Sequence, residues 1–319
     1  MTSSQPKISI IIPVFNRGTL LPYTLDSILL QTYTDWECIL VDDLSTDDSF
    51  SVMEQYQKKD KRFKIYKRPE IVKKGANACR NYGFLQSLGL YIKWFDSDDI
   101  MLPKHLDIAY KTLVDEGLDF VVTDTINFSH ETGELLDKPY DFDRNTAVVS
   151  SKNFAQHAMG WITDDFLGTR SIVENIRFNE HIITDGDEYN FFVTLLQQPF
   201  KGRLLLDVLT HRRIHNASLT KINDEHSKAY VSKIATIKYQ TAKDLVVYKD
   251  TELIKWFLSG YMQNAYKNAL LKQHVPYTKP AFTLICHYFS VFKGCVFVMA
   301  LFMARYFNKG YHVMKYARS

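Results

Sequence analysis

The sequence predicts an α/β protein with a mostly parallel sheet flanked by helices and a helical extension at its C-terminal end. Three observations predict it. Over the first 125 residues, short apolar runs rich in β-branched side chains alternate with segments whose apolar residues recur at helical spacing, the pattern of βαβ units. Two of these runs, Ile8-Ser9-Ile10-Ile11-Ile12 and Trp36 to Val41, are each broken by a single polar residue, as strands covered on both faces should be. From His226 onward no period-2 alternation remains and every segment reads as helix.

The elements follow in order. Ile8 to Ile12 is the first strand, and Pro13, which has no N–H to donate, is expected to end it. Leu20 to Gln31 is helical, with Leu21, Leu25, Ile28 and Leu29 on one side. Trp36 to Val41 is the second strand, closed by Asp42-Asp43, and Ser45-Thr46-Asp47-Asp48 supplies N-cap residues for a helix over about Phe50 to Lys59. Phe63 to Tyr66 is a short strand, Ala76 to Ser87 a helix, Leu90 to Phe95 a strand, Pro103 to Glu116 a helix and Asp119 to Thr123 a strand. Residues 126–165 are irregular. Arg170 to Asn175 and Asp187 to Leu196 read as helices and Leu204 to Leu209 as a strand. A boundary near residue 225 separates residues 1–225 from a helical region, 226–319.

Composition narrows the class. At 319 residues and 46% hydrophobic, the chain can bury a sizeable core. Cys38, Cys79, Cys286 and Cys295 are scattered and form no CxxC, which fits reduced thiols and argues against a zinc site. Met1 to Lys7 is polar and the apolar run after it too short for a secretory signal, so a cytoplasmic protein is expected. Residues 226–319 carry 14 Lys and Arg against three acidic residues, a balance of +11; with +3 for the whole chain, the preceding residues carry −8. Basic clusters near apolar helices favour anionic membrane surfaces or nucleic acid.

The densest chemistry lies in Trp94-Phe95-Asp96-Ser97-Asp98-Asp99. An apolar run ends in three carboxylates within four residues. Like charges so close raise one another's pKa, and a hard divalent cation, Mg²⁺ or Mn²⁺, would offset them. The alternative is a solvated turn in which Asp98 or Asp99 caps the next helix. Phosphate loops of the G-x-x-x-x-G-K-[ST] kind are absent, and the first strand leads into Pro13-Val14-Phe15-Asn16-Arg17-Gly18 rather than G-x-G-x-x-G. Asp42-Asp43 at the second strand's tip can accept a hydrogen bond from a base or ribose, or cap a helix.

Taken together, Ser9 to Asn16, Ser27 to Tyr33, Val41 to Asp47, Ala78-Cys79-Arg80-Asn81-Tyr82-Gly83 and Phe95 to Asp99 resemble, in order and spacing, the family 2 glycosyltransferases of the GT-A fold. The resemblance covers about residues 7–225. It implies that Pro13 and Phe15 line the nucleotide base and that Asp43 binds it, commonly as uracil. It implies that Arg80 approaches the diphosphate and that Asp98 and Asp99 hold the metal with Asp96 in support. It also implies a catalytic base within Thr184-Asp185-Gly186-Asp187-Glu188-Tyr189-Asn190-Phe191-Phe192: Glu188 by the family spacing, Asp187 as runner-up. Leu44 departs from the family's usual Gly, and Thr194 stands where an Arg is frequent. Arg212 to Thr220 resembles the family's basic loop after the last strand, expected to fold over the diphosphate; the alternative is a plain basic turn. Gly160-Trp161 reads either as part of an acceptor wall or as core.

The expected activity is therefore metal-dependent, inverting transfer from a nucleotide-diphospho-sugar to a glycan or lipid-linked glycan hydroxyl, with no nucleic-acid partner. The alternatives are a sugar nucleotidyltransferase, which would need a Gly-rich basic loop after the first strand, and a non-catalytic carbohydrate-binding scaffold. The apolar run Gly294 to Ala304, flanked by Lys279, Lys293, Arg305, Lys309 and Lys315, reads as an interfacial helix at the inner membrane face. It reads alternatively as a helix packed on the catalytic domain or in a homodimer, or as a short span.

Overall fold

The computed structural model describes residues 5–183, 186–215 and 228–319, and of Asp187 the backbone only. Two compact units are present, one of residues 1–183 and 191–217, the other of 184–190 and 218–319. The boundary expected near residue 225 lies outside the described residues.

The first unit opens with β1 (Ile8–Val14), α1 (Leu21–Leu29), β2 (Trp36–Asp42), α2 (Ser49–Lys59), β3 (Phe63–Lys67), α3 (Ala76–Gln86) and β4 (Tyr91–Trp94). These are the expected βαβ units. Strand β1 pairs in parallel with β2, Ile8 opposite Trp36, and with β4, Ile8 opposite Tyr91. All seven residues of β1 and of β2 are buried, because both faces of the sheet are covered. Ile8, Ile10, Ile12 and Val14 pack with Leu21, Leu25 and Ile28 of α1 and with Met53 and Tyr56 of α2. On the other face Gly83 of α3 sits so close that a Cβ there would lie 2.6 Å from Ile11 Cγ2 and 3.2 Å from Val41 Cγ2.

Pro13 does not end β1: it stays in register opposite Val41. The Ile11 carbonyl on the same side of the strand accepts from Phe95 N at 3.0 Å, just beyond the end of β4. The proline nitrogen lies past the last pair of β1 with β4, Ile11 opposite Trp94, so its missing N–H interrupts no pair of that ladder.

Next come β5 (Ile100–Met101), α4 (His105–Asp115), β6 (Phe120–Ser129), α5 (Ser151–Ala155), a 3₁₀ turn at Thr163–Asp165, β7 (Phe166–Thr169), α6 (Arg170–Val173), α7 (Asp187–Leu195), whose residues 187–190 are assigned to the other unit, and β8 (Gly202–Ile214). The eight strands form one sheet in the order β3-β2-β1-β4-β7-β6-β8-β5. Strand β7 runs antiparallel between β4 and β6, and β8 is twice the expected length, pairing in parallel with β6 through a bulge at Asp124. The two-residue β5 joins Thr210 and His211 of β8. Trp161 is fully buried among Phe120, Phe154 and Phe192; it belongs to the core and not to an acceptor wall.

The second unit contains α8 (Lys228–Asp244), α9 (Thr251–Leu270), α10 (Thr278–Tyr288), α11 (Val291–Phe307) and α12 (Tyr311–Arg318). Asp250 and Ser290 cap α9 and α11, each accepting a backbone N–H three residues on. Phe257, Tyr261, Met262 and Ala265 of α9, Phe297, Ala300 and Ala304 of α11, and Met314 and Ala317 of α12 are buried. Among the described residues no helix is long and apolar enough to cross a membrane.

Candidate active site

Two stations of buried charge stand at the carboxyl ends of parallel strands β2 and β4, on either side of β1. Crevices outside such strand ends are where open α/β sheets take ligands. The first station is Asp43. Its Oδ1 accepts from Arg68 Nε and its Oδ2 from Gly75 N at 2.9 Å, while its own N donates to Val14 O at 2.8 Å. Arg68 is buried directly after β3 and also donates to the carbonyls of Pro69 and Val72. Asp43 and Arg68 therefore present an acceptor beside a donor. The neighbouring loop is built on Asn16, whose N donates to Ser45 Oγ at 3.0 Å and whose Oδ1 accepts from Thr46 N at 2.8 Å. Leu44 holds a left-handed conformation, φ 60°, the geometry that glycine adopts without strain. Pro13 is buried at the foot of this loop, and the half-exposed Phe15 ring lies 4.0 Å from Lys74 Nζ.

The second station gathers Asp96, Asp99 and Asp164, each with one carboxylate oxygen within 4.8 Å of the others. Asp96 Oδ1 accepts from Arg80 NH2 at 2.8 Å. Asp164 Oδ1 accepts from Asp96 N at 2.9 Å, and Asp164 Oδ2 is buried without a hydrogen-bond donor among the described residues. Asp99 Oδ1 accepts from Arg213 N at 2.7 Å. Burial, and then the like charges of Asp98 and Asp96, push the Asp99 carboxyl well above its ordinary range; burial with Asp96 and Asp99 does the same to Asp164. Fully buried Lys93 donates to the Asp164 carbonyl and is itself pushed down to about 8 by burial. Two buried carboxyls that resist ionisation, and a buried oxygen without a donor, fit a cation. Three carboxylate oxygens suit a hard one such as Mg²⁺ or Mn²⁺.

The sequence pattern singles out Asp96, Asp98 and Asp99 for the metal, and the structure arranges them differently. Asp98 Oδ2 lies 3.0 Å from Arg17 Nε and 3.1 Å from His215 Nε2, and the carboxylate beside Asp96 and Asp99 is Asp164. Burial would raise Asp98, yet its hydrogen bond to His215 and the Arg17 charge hold it below the usual carboxylate range. Arg80 is buried on α3 against Asp96, with Phe178 5.1 Å beneath it. Glu188 is half-buried in the first turn of α7. The Asp187 side chain, Thr184 and Asp185 lie outside the described residues, as do residues 216–220 of the expected basic loop. Arg212 and Arg213 are strand residues of β8, where Arg213 Nε donates to Asp98 O at 2.7 Å.

Arg68, Asp164, Arg17 and Arg213's backbone role carried no motif of their own. His215 fell inside the segment singled out as a basic loop, so it had a signal, although not one that paired it with Asp98.

A family model described as glycosyl transferase family 2 matches residues 9–176. Among curated relatives, the GalNAc(5)-diNAcBac-PP-undecaprenol beta-1,3-glucosyltransferase of Campylobacter jejuni is 32% identical over 202 residues, 61% of each chain. Glycosyltransferase GlyA of Streptococcus pneumoniae is 28% identical over 84% of this chain and 41% of its own. The chain thus matches less than two thirds of the length of these relatives. TuaG of Bacillus subtilis, named for teichuronic acid biosynthesis, is 26% identical over 85% of this chain and all of its own. Among solved structures, Staphylococcus aureus TarS 1-349 with UDP-GlcNAc gives a TM-score of 0.65 at 16% identity, covering 98% of this chain and 89% of TarS 1-349. The Pyrobaculum calidifontis mannosyltransferase PcManGT with GDP-Man and Mn²⁺ gives 0.53 at 14% identity, covering 96% of this chain and 89% of that one. Likenesses at that identity establish a shared fold.

Proposed function

Since the chain belongs to the family 2 glycosyltransferases and has the GT-A fold, we propose that it moves a sugar from a uridine-diphospho-sugar to a hydroxyl of a cell-surface or lipid-linked glycan, with inversion at the anomeric carbon. The observation that carries this reading is the pair of stations at the ends of β2 and β4. A nucleotide-sugar needs one group for the base and another for the diphosphate, and the two flank a single strand here. Residues 1–225 are the catalytic domain in this reading, and 226–319 the basic helical region at the inner membrane face. The names of the Campylobacter jejuni and Bacillus subtilis relatives and the UDP-GlcNAc held by TarS support the acceptor and donor classes.

The chain's own residues divide the work. Asp43 and Arg68 offer an acceptor and a donor side by side, which suits the N3–H and O4 edge of uracil. Pro13 and Phe15 give that base an apolar border. Arg80, whose guanidinium fork matches phosphate oxygens, neutralises the diphosphate. Asp96, Asp99 and Asp164 would hold the divalent cation, while Asp98 is held by Arg17 and His215. When bound, that cation supplies Lewis-acid stabilisation of the diphosphate leaving group. Glu188, or Asp187 beside it, takes the proton of the acceptor hydroxyl.

Calorimetry with a panel of nucleotide-sugars, with and without Mn²⁺, tests the donor; absence of binding by every uridine sugar would overturn that assignment. Glu188→Gln keeps the shape and removes the proton acceptor, so turnover should fall by about 10²-fold or more while donor affinity stays unchanged. A crippled Asp187→Asn beside an active Glu188→Gln would move the base by one residue.

A further inference from the structure

We infer that the outer face of α11, continued by α12, is a docking surface for an anionic lipid bilayer. Helix α11 is apolar on both sides. Its inner side buries Gly294, Phe297, Ala300, Leu301 and Ala304. Its outer side exposes Val291, Cys295, Val298, Phe302 and Tyr306, positions that recur at helical spacing and so form one stripe. Phe292 and Met299 widen it, and Phe302 is 55% exposed. Single exposed apolar side chains are ordinary; a continuous stripe of them marks a contact.

The stripe runs on into α12, where Tyr311 and Tyr316 are both more than half exposed and the Tyr316 ring lies 6.2 Å from that of Phe292. Tyrosine, with an apolar body and a polar tip, suits a boundary between hydrocarbon and water.

Charge selects the occupant. Residues 253–319 contain nine Lys and Arg and no Asp or Glu. Arg305, Lys309 and Lys315 are exposed beside the stripe. A second copy of this chain would set cations against cations across a two-fold axis. A nucleic acid would answer the charge and leave the apolar stripe in water. Anionic headgroups over acyl chains answer both. With 17 residues, α11 is about 26 Å long, and its inner side is taken up by protein, so it would lie along the interface rather than through it. The inference rests on the lipid-linked acceptor of the preceding section for its purpose, and on geometry and charge for its substance.

Flotation of the full-length protein with vesicles tests it. Vesicles of phosphatidylglycerol and phosphatidylcholine in equal parts should carry the protein at low salt, and phosphatidylcholine alone should carry far less. Phe302→Glu, a change at an exposed position, and the double variant Lys309→Glu/Lys315→Glu should each weaken binding by about tenfold or more. Unchanged thermal melts would show both variants folded. Unchanged UDP affinity in both keeps this result separate from the donor assignment, which fails or stands on its own calorimetry. Failure to float with phosphatidylglycerol at low salt overturns the inference, as does undiminished binding by folded Phe302→Glu. So would sedimentation showing a dimer that Phe302→Glu dissociates while no vesicle is bound.

Discussion

Asp164 changes the reading of the acidic station most. It lies in a Thr-Asp-Asp turn within the irregular stretch after residue 125, and no period or motif marks it. Its place beside Asp96 and Asp99 arises only from the folding of β6 and β7. Asp164→Asn keeps an oxygen for the Asp96 N–H and removes the charge. It should weaken Mn²⁺-dependent UDP binding by about tenfold or more, and by more than Asp98→Asn does, as calorimetry would show. The reverse ranking would favour the set the sequence motif indicates, Asp98 and Asp99 with Asp96 in support. The Asp-rich run after β4 was legible because three carboxylates in four residues are anomalous in any strand–loop junction. Arg68 was not, because nothing local distinguishes a surface arginine from a buried partner, and His215 was marked only as part of a basic segment, with no sign of its pairing to Asp98. Leu44 carries its own test. A left-handed conformation costs an L-residue about 1–2 kcal/mol, offset in part by the greater unfolded-state freedom of glycine. Leu44→Gly should therefore raise stability by up to about 1 kcal/mol, read as a higher urea midpoint.

Among the elements, α3 shows how packing sets the site. Its Gly83 lets the helix lie directly on Ile11 and Val41, which brings Arg80, one turn earlier, against Asp96. Gly83→Ala gains helix propensity and loses that approach. Overpacking should prevail, with a net cost of about 1–3 kcal/mol and weaker UDP binding as Arg80 is displaced; denaturant titration and calorimetry would read the two effects. The elements most legible in the sequence were β1 to β4 with their helices, since each strand is a β-branched run bounded by turn residues. Least legible was the far half of the sheet. Strand β5 has two residues and so no period. The last part of β8, Thr210-His211-Arg212-Arg213, is polar enough to pass for loop and is held as strand by the partners on either side, β5 and β6.

For the molecule as a whole, stability should respond to pH through His105, which is fully buried between Leu209 O, 3.0 Å from Nδ1, and Thr123 Oγ1, 3.4 Å from Nε2. Burial, with Lys93 nearby, holds its pKa well below the ordinary 6.5. Below that pH the unfolded chain takes up a proton here and the folded one does not. The contribution of His105 is therefore complete above pH 6.5 and is lost as pH falls, at about 1.4 kcal/mol per pH unit until the folded group titrates. Asp165, pushed up to about 6 by burial, acts in the opposite sense. The comparison of wild type with His105→Gln isolates the histidine: urea midpoints should fall more steeply with acidification in wild type, and parallel slopes would refute the assignment. The sheet order has a further consequence, for biosynthesis. Asp99 is anchored by the backbone of Arg213, and β5 by residues 210 and 211, more than a hundred positions later. A chain emerging from the ribosome can complete β1, β2 and β3 around Asp43 long before that strand exists. The proposed cradle for the base is therefore finished early, whereas the acidic cluster proposed to hold the metal is locked only when β8 arrives.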